Sequence, residues 1–362
     1  GMSSKKISIL NDVPTFTGIG QYSIDLAKML ASNNIEVGYV SFENTDTPLK
    51  NFYDIRVRDP FRNFKYKSAV YRDTAFNLLA FSEFVRGNVH ITSQFLIPLG
   101  AGRKNVVITV HDITQFHIPE IYVIGTFLHI GKLSMLSRYR HIVVVSNFVK
   151  QDILNHLNID EESIDVLYNW IDLSKIRVRQ NSNTMKMSKK IKLLHVGNDQ
   201  PNKNISLLYR VMKNLPPNFE LIRVGNNSLR NLKYVEKNNL KGRISFYNRI
   251  SKEELEQLYL DSDCFIYPSS LEGFGRPLLE AMAHGLPVVY RDGSSLSEVA
   301  GDAGLKFYSD DLEEISELIY KATTEGVAEE LRKRGIERSK LFDIKNQEEK
   351  IINYYKEVFS LE

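Results

Sequence analysis

Short runs of β-branched and aromatic residues recur along the chain, each followed by a polar or glycine-bearing turn and then by apolar positions at helical spacing. The first half offers Ile7–Leu10, Val37–Phe42, Val89–Thr92, Val106–Val110 and Ile142–Ser146 as strands, with Tyr22–Ser32 and Asn147–Leu157 as helices. The second half offers strands at Lys192–Val196, Glu220–Val224, Ile244–Tyr247, Cys264–Tyr267 and Val288–Tyr290. Alternation of this kind builds parallel sheets, because a parallel pair needs a long crossover and a helix usually supplies it. The expected fold class is therefore α/β, with two doubly wound halves. Between them Ser174–Lys190, SKIRVRQNSNTMKMSKK, is polar and basic without periodicity and reads as a linker. This divides the chain into 1–173, a linker at 174–190, and 191–345.

Composition agrees. A chain of 362 residues exceeds what one core usually organises. Lys and Arg number 47 against 44 Asp and Glu, and the resulting +3 is too nearly neutral to indicate a nucleic-acid partner. Cys264 is the single cysteine, so no internal disulfide can form. Apolar runs such as IVVVS at 142–146 are far shorter than the roughly 20 residues that span a bilayer. No signal-peptide pattern precedes the first strand, and a cytoplasmic protein is expected. One segment, Arg56–Arg72, mixes Arg58, Arg62, Lys65 and Lys67 with Phe61, Phe64 and Tyr66. It reads as a solvated face; peripheral contact with the inner face of the membrane, or acceptor docking, is the alternative.

In open α/β sheets ligands sit beyond the carboxyl ends of the strands, so chemistry is sought in the turns that follow them. After the strand Cys264–Tyr267 comes SSLEGFG and then RPLLEAMAHG, a helical pattern with Pro277 in its first turn and Gly285 just past its end. A helix amino end with unpaired N–H groups and a glycine approach, here Gly273, Phe274, Gly275 and Arg276, suits a phosphate or diphosphate. Glu272 and Glu280 flank it, and carboxylates accept hydrogen bonds from hydroxyls. Amides for phosphate beside carboxylates for hydroxyls describe a site for a nucleotide sugar. Asp261 and Asp263 have the letters of a metal-binding pair but precede their strand, so neither a metal nor a cofactor is expected.

The run EGFGRPLLEAMAHGLPVV resembles the donor site of family 4 glycosyltransferases, retaining enzymes of the GT-B fold, in which two Rossmann-like domains face each other across a cleft. TGIGQYSIDLAKML at 17–30, VVVSNFVKQDIL at 143–154, YNWID at 168–172 and HVGNDQPNKN at 195–204 are similar to other stretches of that family. The resemblance implies that Glu272 meets the donor sugar, Glu280 the ribose, and the amides of Phe274, Gly275 and Arg276 the diphosphate. Lys203 would neutralise the leaving nucleoside diphosphate, Arg249 and Ile250 would face the base, and His111 would stand near the transferred sugar. Gly18 and Gly20 would let the first domain's loop approach the diphosphate and the acceptor. It further implies a GDP- or UDP-sugar donor, a sugar or lipid-linked acceptor, and a final helix, about 346–362, returning to the first domain. The family often carries arginine after the loop glycine or a basic residue before the lysine, and here those positions are Asn198 and Asn202.

Two other readings compete. GIGQYS after a strand, with Glu43 near the end of the next, suggests a nicotinamide dehydrogenase, but Ser23 replaces the third glycine and the second-half motif goes unexplained. A catalytically silent nucleotide-sugar-binding protein of the same fold is the other.

Overall fold

The strand-forming runs do become parallel strands, in two separate sheets. The computed structural model describes residues 6–42, 53–57, 75–118, 126–179 and 190–361; Glu43, most of the cationic-aromatic stretch 56–72, and 180–189 of the expected linker lie outside them. The chain divides into two compact units, residues 1–169 with 347–362, and residues 170–346.

In the first unit seven strands follow in chain order: β1 Lys6–Leu10, β2 Glu36–Phe42, β3 Tyr53–Val57, β4 Asn88–Ile91, β5 Val106–Val110, β6 His141–Val144 and β7 Ile164–Val166. They lie in the order β3-β2-β1-β4-β5-β6-β7. The second unit has β8 Ile191–Val196, β9 Phe219–Val224, β10 Ile244–Tyr247, β11 Cys264–Tyr267, β12 Val288–Arg291 and β13 Leu305–Phe307, in the order β10-β9-β8-β11-β12-β13. Among the described residues every strand pairing in both sheets is parallel. Strand order reverses between β1 and β4 and between β8 and β11, which opens a crevice beyond the strand ends at each point. The sequence reading missed β3, β7 and β13. Asp54 and Arg56 interrupt the apolar run of the first, and the other two are three residues long.

The second sheet is covered by the apolar faces of helices Ile205–Asn214 and Leu312–Ala322. Leu207, Leu208, Val211, Met212, Ile315 and Ile319 share one buried cluster with Leu193, Leu221 and Ile266 from the strands. Trp170 is buried, as a packing residue should be. Ser174–Arg179, expected as free linker, is fastened to the second unit: the Arg179 N–H donates to the His284 carbonyl at 3.0 Å, and its guanidinium meets Asp263 at 3.2 Å.

The final helix, Ile344–Val358, delivers Tyr355 into the first unit, where its hydroxyl meets His90 Nδ1 in a wholly buried contact. His90 Nε2 meets Thr109 Oγ1 at 2.6 Å, and the Tyr22 hydroxyl meets the same atom at 3.1 Å. Burial, and then the neighbouring His111, push the His90 pKa down to about 3, so the ring stays neutral in this network.

The first helix begins at Gly18, four residues before the expected Tyr22, because Thr17 caps it: its Oγ1 accepts the Gly20 N–H at 3.0 Å. The two glycines there differ. A Cβ on Gly20 would lie 2.0 Å from the Pro14 carbonyl oxygen, whereas one on Gly18 would meet nothing within 4 Å. Gly20→Ala should therefore destabilise the protein by about 1–3 kcal/mol in denaturant unfolding, a large share of a typical total. Gly18→Ala should leave stability unchanged or slightly raised, and equal behaviour of the two variants would contradict this assignment.

Candidate functional site

The loop after β8, Gly197–Asn204, and the loop after β11, Pro268–Gly275, are neighbours because β8 and β11 pair at the point of strand reversal. Three asparagine-centred contacts tie them together. Asn202 Nδ2 donates to the Leu271 carbonyl at 3.0 Å, the Ser270 N–H donates to the Asn202 carbonyl at 2.9 Å, and Asn204 Nδ2 donates to the Pro268 carbonyl at 2.9 Å. Asn204 can do so because it adopts left-handed backbone, φ 54° and ψ 43°, a region asparagine tolerates better than most residues. Across this seam Lys203 Nζ meets Glu272 Oε1 at 2.5 Å, with the side chains only 15% and 11% exposed.

Tyr267 flanks the pair. Its ring lies 5.9 Å from Lys203 Nζ, and its pKa is pushed well above the ordinary phenol by burial first and then by Glu272. The hydroxyl thus stays protonated. A carboxylate held by one cation on one oxygen keeps lone pairs for hydroxyl donors.

The helix after the second loop is Arg276–Ala283, with proline in its first turn. Its amino cap, Gly275, has φ +94°, and a Cβ there would lie 2.4 Å from Leu296 Cδ2, so only glycine fits. Phe274 points its side chain into the core against Phe342 at 5.5 Å, which leaves its backbone as the part available to a ligand. Glu280 lies one turn along the helix, with Oε1 3.5 Å from Arg276 Nε and Oε2 accepting from the Tyr259 hydroxyl at 3.2 Å. Tyr259 is buried and stacks on His284 at 5.0 Å. Arg249 and Ile250 follow β10 in the same unit, exposed and half-buried.

In the first unit, His111 follows β5. Its Nε2 faces the Thr92 carbonyl at 2.9 Å, and since a carbonyl can only accept, Nε2 carries the proton and Nδ1 is left as acceptor. Burial lowers its pKa, so the ring is a neutral acceptor. Tyr22 packs edge-on against it at 4.8 Å.

Second-unit candidates are thus brought into two linked groups, Lys203 with Glu272 and Arg276 with Glu280. Asn202, which stands where the family often carries a basic residue, is 6% exposed and commits its side-chain N–H to the facing loop. Asn198 does stay at the surface, its Oδ1 accepting from the Gln200 N–H at 3.3 Å. Tyr259, Tyr267 and Arg223 were not foreseen. Arg223 alone left a readable trace, a charge inside the apolar strand FELIRV.

Asp263 Oδ2 accepts from the Lys192 N–H at 2.8 Å, and Asp261 Oδ1 accepts from Gln257 Nε2 at 2.9 Å. Among the described residues His117, Asp152 and His156 could together hold a metal ion; they lie in the first unit and already satisfy one another, with His117 Nε2 2.8 Å from the Asp152 carboxylate. No helix among the described residues is long and apolar enough to cross a membrane.

Relatives share this arrangement of sequence and fold. Residues 16–175 match the family described as Glycosyltransferase Family 4, and residues 178–342 match Glycosyl transferases group 1. The O-antigen chain mannosyltransferase B of Escherichia coli is 29% identical over 372 residues, covering 94% of this chain and 96% of that protein. The O-antigen chain mannosyltransferase RfbU of Salmonella typhimurium is 32% identical over 225 residues, and that match spans 61% of this chain and 60% of the relative. Among solved structures, a sucrose-phosphate synthase from Thermosynechococcus elongatus superimposes with a TM-score of 0.82 at 18% identity, over 98% of this chain and 99% of the other. Anabaena HepE in complex with UDP and glucose superimposes with a TM-score of 0.76 at 17% identity, over 97% and 99%. With both halves matched in order, and with the fold shared along nearly its whole length, the chain belongs to glycosyltransferase family 4 and has the GT-B fold.

Proposed function

We propose that the protein transfers a hexosyl group, mannosyl in the first instance, from a nucleotide sugar to a hydroxyl of a glycan or lipid-linked acceptor, retaining the anomeric configuration and using no metal. The observation that carries this reading is the Lys203–Glu272 pair, shielded from water at a strand-reversal point and followed by a helix amino end. The mannosyl assignment rests on the names of the two O-antigen relatives. A nucleotide sugar suits the site because its two halves need opposite partners. The diphosphate takes Lys203 and the amides of Gly275 and Arg276, while the sugar hydroxyls take Glu272. Glu280, oriented by Tyr259 and Arg276, accepts from the ribose hydroxyls.

In the reaction the bond from the anomeric carbon to the phosphate oxygen breaks, and its electron pair stays on the nucleoside diphosphate. The acceptor oxygen bonds to the anomeric carbon from the same face, and its proton passes to the departing phosphate oxygen. Charge therefore grows where Lys203 stands, and a cation there stabilises the transition state more than the bound donor. Work in the cytoplasm, at the inner face of the membrane when the acceptor is lipid-linked, follows from the same reading.

A thermal-shift panel of GDP, UDP, ADP and dTDP should raise the melting temperature with one base above the others, because a ligand of the native state stabilises it in proportion to affinity. With that donor, Lys203→Ala should lower kcat by roughly 100-fold or more, the scale of losing one oxyanion donor; near-parental turnover would remove Lys203 from the mechanism. Glu280→Ala should weaken calorimetric binding of the nucleoside diphosphate, and equal affinity would overturn the ribose assignment. Transfer should persist in chelator, whereas loss restored by magnesium or manganese would show metal dependence. Binding of the nucleotide sugar with neither transfer nor hydrolysis would favour a silent binding protein.

A further inference from the structure

Arg223 occupies a strand position that should be apolar. It lies on β9 between Ile222 and Val224, is 0% exposed, and is among the largest fully buried side chains described. Its guanidinium is spent on backbone: Nη1 donates to the Gly197 carbonyl at 2.6 Å and the Val224 carbonyl at 2.5 Å, and Nη2 donates to the Asn226 carbonyl at 2.8 Å. Nε has no partner, and among the described residues no carboxylate forms an ion pair with it. Asp199, which acts on it through space, already accepts from the Asn231 amide at 2.8 Å and the Ser228 N–H at 2.7 Å. His195, buried beside it with both ring nitrogens unpartnered, is held neutral by burial, then by Arg223 and Lys203, and supplies no countercharge. A cation so placed is expensive, since taking an ion out of water costs several kcal/mol unless something close repays it.

Its position indicates what does. The Gly197 carbonyl that it holds opens the loop leading to Lys203. In a trans peptide C=O and N–H point in opposite directions, so drawing this carbonyl inward turns the Asn198 N–H outward, and Asn198 is exposed. Among the described residues no acceptor partners that N–H. The backing is close: a Cβ on Gly225 would lie 1.9 Å from the Gly197 oxygen and 2.6 Å from Arg223 Nη1, so glycine is what allows guanidinium and loop to meet.

We infer that Arg223 is the second cation of the diphosphate subsite, a positioning residue that acts from behind the loop in place of a basic side chain at Asn198. It touches no ligand. It turns the Asn198 N–H toward the phosphates, and its charge acts across a dry interior where screening is weak. This rests on the donor-site reading above and goes beyond it by naming the group that meets the charge of the diphosphate alongside Lys203.

The test is calorimetric titration of the nucleoside, its 5′-monophosphate and its 5′-diphosphate, in the base series chosen by the thermal-shift panel. Arg223→Met should lower diphosphate affinity by about tenfold or more, the effect of 1.4 kcal/mol, lower monophosphate affinity less, and leave the nucleoside unchanged. Adding Asn198→Arg to Arg223→Met should recover most of the diphosphate affinity, which repair of a packing defect would not do. Should Arg223→Met fail to fold, Asn198→Pro, which deletes the outward N–H at an exposed position, should give the same diphosphate-selective loss. Unchanged diphosphate affinity, or equal weakening of all three ligands, would overturn the inference while leaving the donor-site reading standing. A parent protein that binds no nucleoside diphosphate would sink the donor-site reading and this inference with it.

Discussion

The attraction between Lys203 and Glu272 organises the second unit's site, because it joins loops from two strands that are 69 residues apart in sequence. With both side chains largely shielded, neither charge can lose its partner cheaply; leaving one buried charge uncompensated typically costs about 3–5 kcal/mol. The pair therefore holds the two loops together and sets a condition on any ligand that enters between them. A ligand that separates the two groups must bring an anion for the ammonium and hydrogen-bond donors for the carboxylate. Few metabolite classes carry both within a few ångströms, and a sugar attached to a diphosphate is one.

The fold supplies the rest of the geometry without special devices. β8 and β11 are neighbours because the chain reverses its winding there, so their following loops must meet. Asn202 and Asn204 then close the seam through side chain to backbone contacts, which fix loop positions without adding charge. The helix at Arg276 begins where the seam ends, and its start is enforced by a glycine that no other residue could replace. Behind the first loop Arg223 places positive charge where the sequence, read by surface positions alone, shows asparagine.

Much of this was legible in the sequence, and the parts that were not have physical reasons. Ten strands were readable as β-branched runs, and the paired carboxylates and the glycine turn from their place after a strand, whereas Lys203 was expected only from the resemblance to the family. Strand β3 was hidden by its charges, and β7 and β13 by their brevity. The Lys203–Glu272 contact was hidden because sequence gives order along the chain and not register between distant loops. The part Asn202 plays was hidden for the same reason: an asparagine beside a phosphate loop and one stitched to the facing loop have the same letters. Arg223 could have been suspected, since an arginine flanked by apolar residues within a strand seldom lacks a purpose.

If Lys203 and Glu272 hold each other until a donor separates them, the carboxylate competes with the diphosphate for the ammonium. Calorimetric titration of nucleoside diphosphate into Glu272→Gln, beside the parent, tests this most directly, because the amide keeps the shape and removes the competing charge. Free nucleoside diphosphate should bind more tightly to Glu272→Gln than to the parent, by about tenfold if the released attraction is about 1.4 kcal/mol. Unchanged or weaker binding would contradict it and would leave the pair as a structural clasp with no part in admitting the donor.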